Sequence, residues 1–203
     1  MTAFAHSLEG IQSRKQVFRV IEQILSPQCW AALAADWPLF ARAFLTTVVV
    51  AALGLLLALA LGAVFGVMST SRHVVPRAVA RIYVEIFQNT PLVLQAYAFF
   101  LALPYVGIML GQSTVGVLAV GIYHGAYIAE VVRAGIQSIP AGQGEAAASQ
   151  GFTYIQTMRY VILPQTIKII LPPLVNQMVN LIKNTSVIAI IGGADLMNRT
   201  NDW

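Results

Sequence analysis

The run from Thr46 to Met68, TTVVVAALGLLLALALGAVFGVM, contains no charged side chain. About 20 consecutive apolar residues in a helix match the ~30 Å hydrocarbon core of a bilayer. A soluble fold would have to hide every face of such a helix, so the run points to a membrane-spanning element. Three further apolar runs follow, and the set spans roughly Leu39 to Ser69, Ala80 to Leu103, Thr114 to Ile139 and Leu163 to Ile191. The expectation is an all-α integral membrane protein with four transmembrane helices. Composition agrees: 58% of residues are hydrophobic and only 10% are charged, too little polar surface to clothe a soluble globule. Gly54, Gly62 and Gly66 in the first run serve close helix packing.

Before Leu39, Arg14, Lys15 and Arg19 alternate with Val17, Ile21, Ile24 and Leu25. Residues 1–38 are read as a tail, either an interfacial amphipathic helix or a solvated segment. The first apolar run begins too late and runs too long for a cleavable leader, so it is expected to stay in the protein.

Lysine and arginine set the orientation. The connection after the first run holds Arg72, Arg77 and Arg81 without an acid, which places it in the cytoplasm. The next connection, PYVGIMLGQS, is uncharged and lies outside. Arg133, Arg159 and Lys168 against Glu145 return the third connection to the cytoplasm. The N-terminus is therefore expected outside.

Several chemistries are missing. The chain has no GxxxxGK[ST] phosphate loop, no HExxH, no GxSxG and no facing pair of intramembrane aspartates. No catalytic residue and no cofactor is expected, and any ATP is hydrolysed elsewhere. The net charge of +4 is scattered between apolar runs, not gathered into a stripe, which argues against nucleic acid. Cys29 is alone, and His6, His73 and His124 are dispersed, so no metal site is expected. The histidines are read as making single contacts to water or core.

Polar residues inside the hydrophobic regions are the informative ones. Residues 140–164 form a cytoplasmic stretch with its own helical grammar. Pro140 and Gly142 end the third run, and Glu145 is expected to open a short helix near its positive dipole end. Ala146, Ala147 and Ala148 leave a surface open to close approach, and Gly151 breaks the helix. Thr153 with Gln156 has capping-box form, starting a second helix expected to bury Ile155, Met158 and Val161 or Ile162. Pro164 marks the next run. On these grounds alone the stretch is either a connecting loop or a pair of docking helices.

In the fourth run Asn176, Gln177, Asn180, Lys183 and Asn184 fall within about 120° of helical arc at ~100° per residue. Such a stripe is costly against lipid, so it lines a water-filled path or bonds between helices. Pro172 and Pro173 predict a kink just before it. Gln88, Asn89 and Thr90 before Pro91 border a path at a kink or form a satisfied helix break. Arg81 with Glu85, and Glu130 with Arg133, are spaced for local ion pairs of structural use.

Glu145-Ala146-Ala147, three residues, Gly151, nine residues, then Val161-Ile162-Leu163-Pro164 resembles the cytoplasmic E-A-A loop of permease subunits of ABC importers. HGAYIAEVVRAGIQSIPAGQGEAA, LPQTIKIILPPLVNQ, NLIKNTSVIAIIGGADL and QNTPLVLQ resemble the polar amino acid branch, over roughly Ala43 to Leu196. Val161 replaces the usual isoleucine, and Asn89 stands where glycine is usual. The resemblance implies a type I importer bundle in the bacterial inner membrane. Its partners would be ATP-binding cassette ATPase subunits, a second permease subunit, identical or not, and an extracytoplasmic amino acid binding protein.

Under that resemblance Glu145, Ala146, Ala147 and Gly151 couple to the ATPase, and Asn176, Gln177, Asn180, Lys183 and Asn184 line the substrate path. Related sequences often carry acids where Gln177 and Asn184 stand, so neutral polar or acidic amino acids are expected over strictly cationic ones. The family pattern also places a fifth transmembrane helix after the loop beginning at Gly192, where this chain reaches only Trp203, so a fragment or truncation is expected. The alternatives are the same architecture serving an opine or compatible solute, and a truncated membrane scaffold subunit that transports nothing.

Overall fold

A computed structural model describes residues 26–202, and every regular element among them is helical. The basic stretch around Arg14, Lys15 and Arg19 lies outside the described residues. The elements are α1 (Pro27–Ser69), α2 (Val74–Asn89), α3 (Leu92–Tyr97), α4 (Gln112–Gln137), α5 (Ala141–Ser149), α6 (Tyr154–Thr157), α7 (Leu163–Asn184), α8 (Val187–Ile190) and α9 (Leu196–Asp202). The chain divides into two compact units after Arg42.

In the first unit the described residues are the opening of α1. This helix begins at Pro27, well before the apolar run at Leu39. Ser26 supplies the missing start signal: its Oγ accepts the Cys29 backbone N–H at 3.3 Å, and Pro27 follows at the first helical position. Trp30 and Trp37 are exposed, as amphipathic rings are at a membrane interface.

The second unit is built around α4, whose small residues admit its neighbours. On α1, a Cβ at Gly54 would lie 2.6 Å from Val120, one at Gly62 2.3 Å from Ile128, and one at Gly66 2.5 Å from Val132. These glycines pack, as expected from the sequence. The relation is reciprocal, because α4 offers Gly121 to Leu57 of α1, Gly116 to Ile188 of α8 and Gly135 to Ile170 of α7. Without a hydrophobic drive between helices in lipid, such close approach supplies the dispersion contact that holds them. Val50, Ala58, Val115, Val120, Ile128, Leu181 and Ile188 form the buried centre. Leu53, Leu56 and Val64 of α1 point outward, as lipid-facing side chains do.

By length and apolar composition α1 and α4 are each able to cross a membrane, and α2 does so only with the segment Leu92–Val106, at a bend of 102°. Four continuous spans were expected from the sequence; the second run is instead two helical segments that meet at that bend. α7 has 22 residues, but its amides and lysines dilute its apolar character below that of a self-evident span. Its helix runs unbroken through Pro172 and Pro173.

Side chains bridge the break at Thr90–Pro91. Pro91 has no N–H to offer Phe87, and the residue before it, Thr90, is extended at φ −104°, ψ 126°. Side chains take over the carbonyls: Asn89 Nδ2 donates to Glu85 O at 2.7 Å and Thr90 Oγ1 to Ile86 O at 2.7 Å. Gln95 Nε2 donates to Phe87 O at 2.9 Å and to Thr90 O at 3.0 Å. Its Oε1 is buried without a hydrogen-bond partner. Of the two readings of Gln88-Asn89-Thr90, the satisfied break is observed, and Gln88 itself donates to Ala126 O of α4 at 3.1 Å.

Beyond α8, Asp195 caps α9, its Oδ1 accepting the Asn198 N–H at 3.3 Å. Burial of this carboxylate raises its pKa, while the backbone donors pull the other way. The Leu196 N–H donates to Thr47 Oγ1 of α1 at 3.1 Å, docking the turn.

Candidate functional site

Two regions collect the candidate residues. The first is the joint between α5 and α6. α5 starts at Ala141 with Pro140 as its cap, so Glu145 sits in the second turn and not at the helix opening. The dipole argument for Glu145 therefore falls away, since that effect is confined to the first turn. Glu145 and Ala146 are exposed and Ala147 is buried. Glu145 forms no ion pair with any described residue.

The helix ends in a Schellman motif: Phe152 N–H bonds Ala147 O at 3.1 Å, and Gly151 N–H bonds Ala148 O at 2.9 Å. Gly151 takes φ +82°, the left-handed conformation that motif requires. The capping box follows at once, with Gln156 N–H to Thr153 Oγ1 at 3.4 Å and Thr153 N–H to Gln156 Oε1 at 2.8 Å. Two consecutive capping motifs fix the angle between the helices.

Ile155 was expected to be buried, yet it is 75% exposed. α6 is a single turn that passes into a π-helical turn at Met158–Ile162, and the extra residue per turn rotates the apolar face away from regular spacing. With Tyr160, Ile155 makes the outer side of the joint apolar. Arg72, from the connection between α1 and α2, lies 5.1 Å over the Tyr154 ring and ties that connection to the α5–α6 joint.

The second region is the polar face of α7, which divides in two. Gln177 and Asn184 turn inward to His124 of α4, with Gln177 Oε1 3.3 Å from Nδ1 and Asn184 Nδ2 3.0 Å from Nε2. Asn176, Asn180 and Lys183 are exposed. The sequence placed all five on one stripe, and the structure brings only two of them together. His124 is buried, in keeping with a core contact, but it engages two predicted path residues at once. A lone histidine carries no spacing signal that would reveal this. Tyr123 stacks edge-on to His124 at 5.3 Å and its hydroxyl lies 3.2 Å from that of Tyr127.

A cavity of about 250 Å³ beside this cluster is lined by Asn184, Tyr123, Pro91, Leu92 and Ser186, so it opens at the α2–α3 break. A larger cavity, about 630 Å³, lies between α2 and α4, where Arg77, Arg81, Glu85, Glu130 and Arg133 meet. Both expected ion pairs form there: Arg81 Nε to Glu85 at 2.7 Å, and Arg133 to Glu130. The first is largely exposed and contributes little to stability. Among the described residues no cluster of His, Cys, Asp or Glu is arranged to hold a metal ion.

Comparison with known proteins gives a consistent family. The chain is 51% identical over 115 residues to the "Probable glutamine ABC transporter permease protein GlnM" of Bacillus subtilis (strain 168), covering 57% of this chain and 53% of that protein. It is 36% identical over 176 residues to the arginine transport system permease protein ArgU of Corynebacterium glutamicum, covering 80% and 56%. The chain thus spans only about half the length of these two relatives. A solved amino acid ABC transporter with histidines superposes with a TM-score of 0.76 at 35% identity, covering 84% of this chain and 80% of that one. The family of inner membrane components of binding-protein-dependent transport systems matches residues 54–202. With its helices apolar enough to span a membrane and its matching fold, this chain belongs to that family.

Proposed function

We propose that this chain is the transmembrane permease subunit of an ABC importer that carries polar amino acids into the cytoplasm. The observation that carries the reading is the α5–α6 joint. It combines a rigid double cap, an exposed carboxylate at Glu145 and an exposed apolar side chain at Ile155, as a docking surface for another protein needs. Residues 140–164 then couple to a separate ATPase that hydrolyses the ATP, with Glu145, Ala146, Ala147 and Gly151 at the contact. Closure of the ATPase pair would be passed through the joint to α4 and α7.

The polar face of α7 and the break before α3 line the solute path in this reading. Gln177 and Asn184 are held by His124, and Asn176, Asn180 and Lys183 face a second permease subunit or the water between the two. In this reading the chain makes four crossings of the inner membrane, with α7 as the last, and the arginine distribution supports an N-terminus outside. An extracytoplasmic binding protein delivers the solute to the outer end. Neutral amides at positions 177 and 184 favour neutral polar solutes over cations, and the names of the relatives, one for glutamine and one for arginine, bracket that choice.

The test is uptake into proteoliposomes containing the chain, its ATPase and its binding protein. ATP-dependent accumulation of glutamine, with stronger competition by glutamine than by arginine, is the expected result. Uptake of no amino acid, with accumulation of an opine or a compatible solute, would replace the substrate class and leave the architecture. No copurifying ATPase would remove the importer reading.

A further inference from the structure

His124 bears on selectivity, in a way that rests on the permease reading above. It is only 2% exposed, and each ring nitrogen faces a different amide of α7. A neutral imidazole carries one N–H and one lone pair. Whichever tautomer forms, one of the two amides must therefore turn its oxygen to the ring and the other its NH2. In the arrangement present, Nδ1–H donates to Gln177 Oε1 and Asn184 Nδ2 donates to Nε2. The ends pointing away from the ring are then opposite in kind: Gln177 keeps its amine as a donor, and Asn184 keeps its oxygen as an acceptor. Tautomer exchange would swap the two ends without making them alike.

Asn184 lines the 250 Å³ cavity, and Gln177, half-buried, meets the opposite ring nitrogen. We propose that His124 is a positioning residue that sets solute selectivity, by holding Gln177 and Asn184 in opposite polarity so that together they present one donor and one acceptor. A carboxamide, which both donates and accepts, satisfies both ends. A guanidinium only donates and leaves the Gln177 amine unmet. A second carboxylate only accepts and leaves the Asn184 oxygen unmet. One unmet buried group corresponds to a loss of roughly tenfold in binding.

The experiment is binding of labelled glutamine, arginine and glutamate to the purified complex of the full chain with its ATPase, without the binding protein, so that delivery does not select. Glutamine is expected to exceed each of the others by about tenfold, and His124→Phe to bring the ratios toward one. Gln177→Glu keeps the acceptor that Nδ1–H needs but makes both outward ends acceptors, so it should shift preference toward arginine by about tenfold. In parallel, 15N spectra of ring-labelled histidine, with His6 and His73 replaced by glutamine, should show His124 with one protonated and one bare nitrogen. Two protonated nitrogens would overturn the proposal, because both amides would then offer oxygen inward and present like ends. An unchanged glutamine-to-arginine ratio in both variants would overturn it as well, while leaving the permease reading intact. Binding of none of the three amino acids by the unmodified complex would remove the amino acid reading and the selectivity claim with it.

Discussion

Gly151→Ala is the perturbation whose cost is cleanest to work out. At φ +82° an L-residue is strained, and a Cβ built there meets no atom within 4 Å, so no steric clash adds to the backbone term. The conformational cost is about 1–2 kcal/mol, a factor of roughly 5–30 in the population of the Schellman-terminated joint. Gly144→Ala is the matched control. It lies inside α5, also with nothing within 4 Å of an added Cβ, and should stabilise that helix by about 1 kcal/mol. The two sites share no hydrogen bond, so their effects should add.

The assay is the ratio of amino acid taken up to ATP hydrolysed in proteoliposomes with the ATPase and binding protein. Gly151→Ala should lower that ratio several-fold with membrane insertion intact, and Gly151→Asn should lower it less, since asparagine tolerates the left-handed region. Gly144→Ala should leave it unchanged. The double variant should behave like Gly151→Ala, because helix stability is restored but the exit direction is not. Equal coupling ratios in Gly151→Ala, Gly151→Val and the unmodified protein would refute the reasoning.

At the helix crossing of α4 and α7, Gly135→Ala would place a Cβ 2.2 Å from Ile170 Cγ2; overpacking of this kind costs about 1–3 kcal/mol and should appear as a lower melting temperature in detergent, partly relieved by Ile170→Ala, which removes that methyl. Gln95→Leu strips the donor from Phe87 and Thr90 and leaves both carbonyls unmet, at about 1–3 kcal/mol each; Gln95→Glu, which turns a second acceptor on them, should melt lower still. Asp195 holds a raised pKa, so its protonation favours the folded state: stability should fall as pH rises from its ordinary value of 3.8 through the raised one. Asp195→Asn keeps the cap and should flatten that part of the melting profile, whereas Asp195→Ala should cost about 1 kcal/mol.

Local signals read well from the sequence where both partners lie within a few residues. The Thr153–Gln156 box, the turn at Gly151 and the break at Pro91 were all legible because the chemistry of each is contained in one short stretch. The packing role of Gly54, Gly62 and Gly66 was legible too, although their partners on α4 were not. Three features escaped. The start of α1 is marked by Ser26 and Pro27, a polar signal lying outside the apolar run being followed. The outward turn of Ile155 depends on a π-helical residue that no 3.6-residue periodicity contains. The division of the α7 stripe depends on His124, 53 and 60 positions away from its two partners, and a helical wheel of α7 alone shows no reason to separate Gln177 from Asn180.

The glycine contacts of α4 also say which motions the bundle permits. Where main chain meets side chain at 2–3 Å from a missing Cβ, as between α1 and α4, there is no compliant layer to compress, and the pair can only travel as one strut. The contact of α7 with α4 is different in kind near the histidine, where polar atoms can exchange partners without a change in spacing. Any stroke transmitted from the α5–α6 joint would thus find a stiff side toward α1 and a geared side toward α7, and spend its displacement on the latter.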